Sequence, residues 1–293
     1  VQGLSSEITP ISDFYNVDIN IVKPRVDHKS WKLEVRGLVD SPYELTYRQI
    51  QNQFDVVEMA HTLTCISNEV GGDLISTAVW RGVRLREVLE RGGVRSGAVD
   101  IVFRGAEGYS DSITLDKAME DTTLVVFGMN GRSLPREHGF PARIIVPGIY
   151  GMKNVKWLTK IEVVDHDYQG YWMVRGWSDV ARIKTSSRID VPGTATRVGL
   201  PTTIAGVAWA GDRGIRAVEV SQDGGKTWNP AILKREISER VWRLWATDLE
   251  PGGGKRRVLV RALDGEGETQ SSEVTKPHPA GASGIHSVVL EIE

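Results

Sequence analysis

The stretch HTLTCISNEVGGD, residues 61–73, holds the only cysteine of the chain. Cys65 follows a short β-prone run and precedes a polar, glycine-containing turn. A solitary cysteine there serves either as a small buried hydrophobe or as a soft thiolate, acting as metal ligand or nucleophile. His61 precedes it by four residues. In an extended strand that spacing puts both side chains on one face but about 13 Å apart, too far for an activating hydrogen bond. A more distant histidine could still pair with the thiol, because the partners need only meet in space. A second patch, RSLPREHGFPARIIVPGIYGMKNVKWL (132–158), sets His138, Arg143, Lys153 and Lys156 among Pro and Gly. Strand ends with glycines and cations suit close approach of an anion, since backbone N–H groups and positive side chains can both point at it. The alternative is a solvated loop with ordinary surface charge. A third patch, GYSDSITL (108–115), places Tyr109 just after a glycine. That phenol either packs or enters a cleft, where it can donate a hydrogen bond or a proton.

Other chemistries lack their motifs. The six histidines are scattered, with no His-Glu-x-x-His and no Cys-x-x-Cys, which argues against a zinc site. There is no Gly-x-Ser-x-Gly elbow and no Gly-x-x-x-x-Gly-Lys-Ser/Thr loop. Gly252–Gly254 read as a turn between strands.

The elements that must position these residues fall into two textures. Residues 1–30 read as an extended, irregular leading segment. Strands are expected at WKLEVRGLV (31–39), VVEMAHTLTC (56–65), DIVFRG (100–105), TLVVFGMNG (123–131), ARIIVPG (142–148) and VKWLTKIEVVD (155–165). SPYELTYRQIQNQF (41–54) reads as a turn followed by a short helix, with Tyr47, Ile50 and Phe54 spaced for one face. RLREVLERGGV (84–94) reads as an amphipathic helix stopped by Gly92–Gly93. Helices interleaved with strands indicate a mixed α/β or α+β first domain. KTSSRIDVPGTATRVGL (184–200) is rich in Ser, Thr, Pro and Gly, and no helical period follows it. IAGVAWA, IRAVEVS, WRLWATDL, RVLVRAL and HSVVLEI are strand candidates, and SQDGGKTW carries a hairpin cue. A two-sheet β-sandwich is expected, with the boundary near residue 190: domains 1–190 and 191–293.

The totals agree with this plan. A chain of 293 residues exceeds a typical single core. It is 40% hydrophobic and 25% charged, and its net charge of −2 with mixed signs gives no footprint for nucleic acid or anionic lipid. One cysteine excludes an intrachain disulfide. No apolar run reaches the roughly 18–20 residues needed to span a bilayer, and no signal peptide is visible. The chain opens on Val1 rather than Met, so an upstream segment is expected to have been removed.

Taken in order, the lone Cys after TLT, WRGVRL, GYSDSITL, GMNGRSLPREHGFPARIIVPGIYGMKNVKWL and GVAWAGDRGIRAVEVSQDGGKTW resemble the sulfite oxidase superfamily of molybdenum-cofactor enzymes. The resemblance runs from FYNVDIN to GIHSVVLEI and is most specific from Met129 to Leu158. It implies an α+β molybdopterin domain followed by an immunoglobulin-like β-sandwich. It implies the molybdenum-molybdopterin cofactor, with Cys65 as the thiolate ligand to molybdenum; soft sulfur suits such a metal. It implies pterin contacts from His138 and Arg143, and phosphate contacts from Asn154, Val155 and Lys156. Tyr15, Asn16 and Val17 match the segment that wraps the pterin, Glu107 an acidic cofactor contact, and Tyr109 the active-site tyrosine beside the substrate. Cys65 and Tyr109 are thus the expected catalytic residues.

Three departures bear on the substrate. Sulfite oxidases hold a dianion with an arginine cluster, but Val17 stands where one arginine is expected and Glu69–Val70 where two are. Arg175 matches a remaining basic position loosely. Two-electron oxygen-atom transfer on a small neutral sulfoxide or N-oxide is therefore expected. The alternatives are true sulfite oxidation or a non-catalytic binding module with a degenerate cofactor domain. The resemblance is closest to bacterial members anchored in the membrane through an N-terminal segment. An extracytoplasmic location is expected on that basis, with a separate cytochrome or membrane subunit for electrons. The sandwich is expected to support a homodimer.

Overall fold

The structure is a computed structural model and describes all 293 residues. Its contacts group the chain into two units. One is a mixed unit, Asn16–His61 with Ala78–Ala181; the other is a sandwich unit, Val1–Tyr15, Thr62–Thr77 and Arg182–Glu293.

Ten strands precede residue 165. They are β1 (Lys32–Gly37), β2 (Tyr43–Thr46), β3 (Val56–Thr64), β4 (Ile75–Arg84), β5 (Asp100–Gly105), β6 (Ser110–Thr114), β7 (Leu124–Met129), β8 (Arg132–Ser133), β9 (Arg143–Ile145) and β10 (Leu158–Val164). Helices α1 (Tyr47–Asn52), α2 (Leu85–Gly92) and α3 (Leu115–Ala118) lie between them. One sheet has the order β2-β1-β10-β5-β6, with β1 and β10 parallel and the other pairs antiparallel. A second has the order β3-β4-β7-β8, and β9 also pairs with β7. Strands β3 and β4 each divide between the two units, at 61/62 and 77/78.

The alternation of Leu33 and Val35 buries both side chains on one face of β1, where they join Leu45, Ile101, Phe103, Leu158 and Ile161 in one core. In α1, the Thr46 hydroxyl accepts from the Gln49 backbone and the Gln49 side chain accepts from the Thr46 N–H, a reciprocal cap. Helix α2 buries Leu85, Val88 and Leu89 and ends at Gly93, which holds φ 70.

Two details differ from the sequence pattern. Residues 43–46 form strand β2 rather than part of a turn, because Leu45 is buried while its neighbours are not. Strand β4 carries no alternating signal, since Ser76 and Thr77 are buried along with Ala78 and Trp80.

Nine further strands form two sheets. They are β11 (Ser186–Val191), β12 (Thr196–Val198), β13 (Thr203–Trp209), β14 (Ile215–Ser221), β15 (Asn229–Pro230), β16 (Ile232–Leu233), β17 (Arg243–Asp248), β18 (Gly254–Asp264) and β19 (His286–Ile292). The sheet orders are β11-β13-β17-β16 and β12-β19-β18-β14-β15. Val288, Leu290 and Ile292 point into their core while Val289 is exposed, as the alternation in SVVLEIE requires. The polar stretch 184–200 contains strands β11 and β12. By its contacts, the sandwich unit joins Arg182–Glu293 with two earlier pieces of chain, Val1–Tyr15 and Thr62–Thr77. No helix is long and apolar enough to cross a membrane.

Candidate active site

In the mixed unit, the chain between the single helical turn Arg136–His138 and β10 gathers most of the cationic residues singled out above. Arg143, at the start of β9, is 5% exposed. Its guanidinium donates to the His138 carbonyl at 3.2 Å and the Asn154 carbonyl at 3.0 Å, and it lies 5.2 Å from the Trp80 ring. His138 is also buried. Asn154 braces the loop from within. Its side chain accepts from Val146 N at 2.7 Å and donates to the Tyr150 carbonyl at 3.2 Å, while its own N–H donates to the Gly151 carbonyl. Val155 is buried, and its carbonyl accepts from Ile144 N. Of the Asn-Val-Lys trio, the asparagine thus shapes the loop.

Lys156 is the charge this loop presents. Its Nζ donates to Asn16 Oδ1 at 2.9 Å, the Val17 carbonyl at 3.2 Å and the Glu137 carbonyl at 3.3 Å, and it pairs with the Asp18 carboxylate. Trp157 follows with φ 50, a left-handed turn that costs a non-glycine residue about 1–2 kcal/mol. Its indole lies 4.7 Å from the Lys156 ammonium and donates to the Arg136 carbonyl at 2.9 Å. Burial, reinforced by the Arg143 charge and opposed by Asp18, pushes the Lys156 ammonium down to about 8.

The turn joining β5 to β6 lies against this loop, with Ala106 N donating to the Trp157 carbonyl. Gly105 permits the contact: a Cβ there would sit 2.4 Å from Glu107 Oε2 and 2.7 Å from the Lys156 carbonyl. Burial pushes the Glu107 carboxyl up to about 7, against the pull of Lys156. Its Oε2 is buried with no hydrogen-bond partner. Asn16 and Val17 are exposed at this place, and Asn20 donates to the Glu107 carbonyl at 3.3 Å.

Tyr109 is 7% exposed, and its hydroxyl lies 2.9 Å from Asp111 Oδ2 and 2.8 Å from the Met152 carbonyl. Lys153, a candidate anion-binding cation in the sequence, is 3% exposed and turned to the same carboxylate. Its Nζ donates to Asp111 Oδ1 at 3.1 Å, the Ser112 carbonyl at 2.8 Å and Asp179 Oδ1 at 2.8 Å. An ammonium has three N–H donors, so these partners use all of them. Arg175 is likewise committed: its guanidinium stacks 3.7 Å from the Tyr171 ring centroid and donates to the Tyr171 carbonyl at 2.6 Å.

Cys65 and Tyr15 belong to the sandwich unit. Cys65 closes the end of β3 and is half-buried. Its N–H donates to the Leu74 carbonyl, Asn68 N donates back to the Cys65 carbonyl, and Asn68 Oδ1 accepts from Leu74 N at 2.9 Å. The turn so tied leaves Sγ 2.9 Å from Ser67 Oγ, with Glu69 and Val70 exposed beyond it. Tyr15 is half-buried and donates its backbone N–H to Ser76 Oγ at 3.1 Å.

Sequence reasoning passed over Asp18, Asp111 and Asp179. Asp18 and Asp111 had a signal, since they lie within FYNVDIN and GYSDSITL. Asp179 becomes visible only when its segment closes on Lys153.

In the mixed unit, the buried Arg143 and the partly buried Lys156 supply positive charge and the unpartnered Glu107 oxygen can accept from a ring N–H or amine, a set that fits a phosphate-bearing, N–H-rich heterocycle. In the sandwich unit, Cys65 offers one soft sulfur that suits a metal. No group of three or more His, Cys, Asp or Glu side chains is placed to hold a metal by itself.

Comparison with known proteins gives the class. The family described as the oxidoreductase molybdopterin binding domain matches residues 20–172, and the Mo-co oxidoreductase dimerisation domain matches residues 178–277. The NAD(P)H nitrate reductase of Hordeum vulgare is 31% identical over 90% of this chain and 37% of its own length. The NADH nitrate reductase 1 of Oryza sativa is 30% identical over 91% of this chain and 36% of its length. The chain thus spans little more than a third of these relatives. Sulfane dehydrogenase SoxCD from Paracoccus pantotrophus has the same fold, with a TM-score of 0.86 over 99% of this chain and 84% of that one, at 23% identity. The fold and the matched domains define a molybdenum-cofactor oxidoreductase. The chain belongs to the sulfite oxidase superfamily, with its mixed cofactor domain and immunoglobulin-like sandwich.

Proposed function

We propose that this chain catalyses two-electron oxygen-atom transfer on a small neutral sulfoxide or N-oxide rather than on sulfite. One observation carries the reading. Lys153, the buried cation nearest Tyr109 in the hydrogen-bond network, spends its three donors on Asp111, Asp179 and the Ser112 carbonyl. A dianion brought beside Tyr109 would have to displace those bonds, whereas a neutral S=O or N–O group needs only a hydrogen-bond donor. Val17 and the exposed Glu69–Val70 pair, in place of arginines, support the same conclusion.

In this reading the cofactor, when bound, would supply the two-electron redox chemistry that the transfer needs. By the resemblance, Cys65 would anchor the metal, and Asn154, Val155 and Lys156 would hold the phosphate end. His138, Arg143, Glu107, Tyr15, Asn16 and Val17 would line the pterin. Tyr109 orients the substrate oxygen and delivers a proton to it. A separate redox partner carries electrons, and the sandwich supports a homodimer, as the name of its family suggests. An extracytoplasmic location suits a partner-fed enzyme of this kind and is part of the proposal.

The similarity to nitrate reductases favours a second reading, oxygen abstraction from nitrate, which is also a two-electron transfer. A dye-linked assay on protein produced in a host able to make the cofactor separates them, with sulfoxides, N-oxides, nitrate and sulfite as substrates. Turnover of sulfoxides or N-oxides well above the two anions is expected, and sulfite or nitrate as the best substrate would overturn the reading. Metal analysis is expected to find molybdenum in the wild type and almost none in Cys65→Ser; equal molybdenum in both would remove Cys65 from its role.

A further inference from the structure

Tyr109 has one hydroxyl proton and two acceptors within reach, Asp111 Oδ2 at 2.9 Å and the Met152 carbonyl at 2.8 Å. Both contacts are hydrogen bonds only when the Asp111 carboxyl carries a proton: Asp111 then donates to the phenol oxygen, and the phenol donates to Met152. With Asp111 ionised, the phenol turns its proton to the carboxylate and the Met152 contact lacks one. The same atoms therefore suit two proton placements.

The carboxylate that makes this possible is sealed. Asp111 is fully buried. Gly170 presses on it so closely that a Cβ there would lie 2.9 Å from Asp111 Cα and 3.1 Å from its Cγ. Other charged and titratable groups surround it at known places. Lys153 reaches Oδ1 from the turn Gly151–Lys153; Asp100 on β5 bonds Ser112 Oγ at 2.9 Å; Tyr168 bonds Ser110 Oγ at 2.8 Å; Tyr171 lies 5.7 Å from the Tyr109 ring. Burial pushes the Asp111 carboxyl upward, opposed mainly by Lys153. Lys153, the charged side chain bonded to Asp111 itself, leads outward by direct contact to Asp179, whose side chain is 43% exposed.

We propose that Asp111, Lys153 and Asp179 form a proton relay that feeds Tyr109 from solvent at Asp179. The relay rests on the placement of Tyr109 at the substrate made above. As the Tyr109 hydroxyl turns from Met152 and its O–H bond breaks toward the substrate oxygen, the Asp111 Oδ2–H bond breaks to restore it. An N–H of Lys153 reprotonates Asp111 at Oδ1, Lys153 takes a proton from the Asp179 carboxyl or from water on it, and a half-turn of the Asp111 carboxyl brings its proton back to the Tyr109 side. One proton moves inward and no electron moves along this path; in the opposite reaction direction the same bonds carry it out. Asp111 and Asp179 are positioning residues that act through Tyr109.

The test uses the cofactor-loaded protein labelled with 13C at the tyrosine ζ carbon, with the Tyr109 resonance assigned by its loss in Tyr109→Phe. In the wild type that resonance is expected to follow a proton step with a midpoint above the ordinary carboxyl range, and Asp111→Asn is expected to abolish the step. Asp179→Asn, an exposed change that keeps the fold, is expected to lower kcat at least tenfold and enlarge the solvent deuterium isotope effect, with recovery in Asp179→Glu. A Tyr109 resonance indifferent to pH, or wild-type turnover and isotope effect in Asp179→Asn, would overturn the relay. Should Asp111→Asn not fold, the Asp179 pair of variants decides. Full turnover in Tyr109→Phe is a separate failure, that of the placement of Tyr109 at the substrate.

Discussion

Glu107 and Lys156 face each other as a carboxyl held up to about 7 and an ammonium held down to about 8. Below about pH 7 Lys156 is therefore charged while Glu107 is largely neutral, and the pair carries net positive charge even where ordinary carboxyls are ionised. That polarity suits an anion at Lys156, as the proposed function requires. The stability consequence has a definite sign. Because the Glu107 value is raised above its ordinary 4.5, the folded protein binds the proton more tightly. The associated stability is complete below about pH 4.5 and is lost as the pH climbs through about 7. Glu107→Gln removes this dependence. In denaturant titrations of the cofactor-free protein, its stability relative to wild type is expected to improve between pH 5 and pH 8 by about 2 kcal/mol, a figure discounted for partial exposure. A pH-independent difference would mean that Glu107 ionises freely. Residue types alone marked Cys65, His138, Arg143 and Lys156, because cations and a soft sulfur at motif positions stand out. They did not mark Asp18 or Asp111, because an acid becomes a partner only when the chain brings it to a cation, and Lys153 lies 42 residues from Asp111.

At the scale of elements, the site depends on how closely β5 and the loop before β10 approach. The two strands change register between Leu158 and Lys160, where Leu158 pairs with Gly105, and the missing side chain of Gly105 is what the Glu107 carboxylate and the Lys156 carbonyl lie against. Gly105→Ala forces one of these groups to move, and the Lys156 carbonyl is backbone. A loss of about 1–3 kcal/mol is expected, the usual cost of overpacking, together with weaker cofactor retention, read as molybdenum content after gel filtration. Unchanged content would show that the loop can shift without harm to the site. The main strands and α2 were legible because one face alternates or repeats at the helical period. Strand β4 was not, since it buries Ser76 and Thr77 with its apolar residues and so loses the pattern on which such reading relies.

At the scale of the molecule, the polar stretch 184–200 looks like a linker because it is rich in Ser, Thr, Pro and Gly, yet its first half is a sandwich strand. In β11 only Ser187 and Ile189 are buried, a short inward face that composition hides. Ser187 Oγ donates to Gln270 Oε1 at 2.6 Å and lies 3.1 Å from the Val260 carbonyl, and β11 pairs with β13 from Ser186 opposite Trp209 to Val191 opposite Ala205. Gly206 accepts this neighbour so closely that a Cβ would fall 1.9 Å from the Arg188 carbonyl. A cut at residue 190 therefore strips most of an edge strand from the sheet and leaves β13, TIAGVAW, as a long apolar edge with its backbone donors and acceptors open, a template for pairing with other chains. The fragment 191–293 is expected to aggregate or melt well below the fragment 182–293 at equal concentration, as followed by circular dichroism and size-exclusion chromatography. If the two behave alike, β11 contributes nothing to closing the sandwich, and the division of the chain rests on the apolar face of β13 to β19 alone.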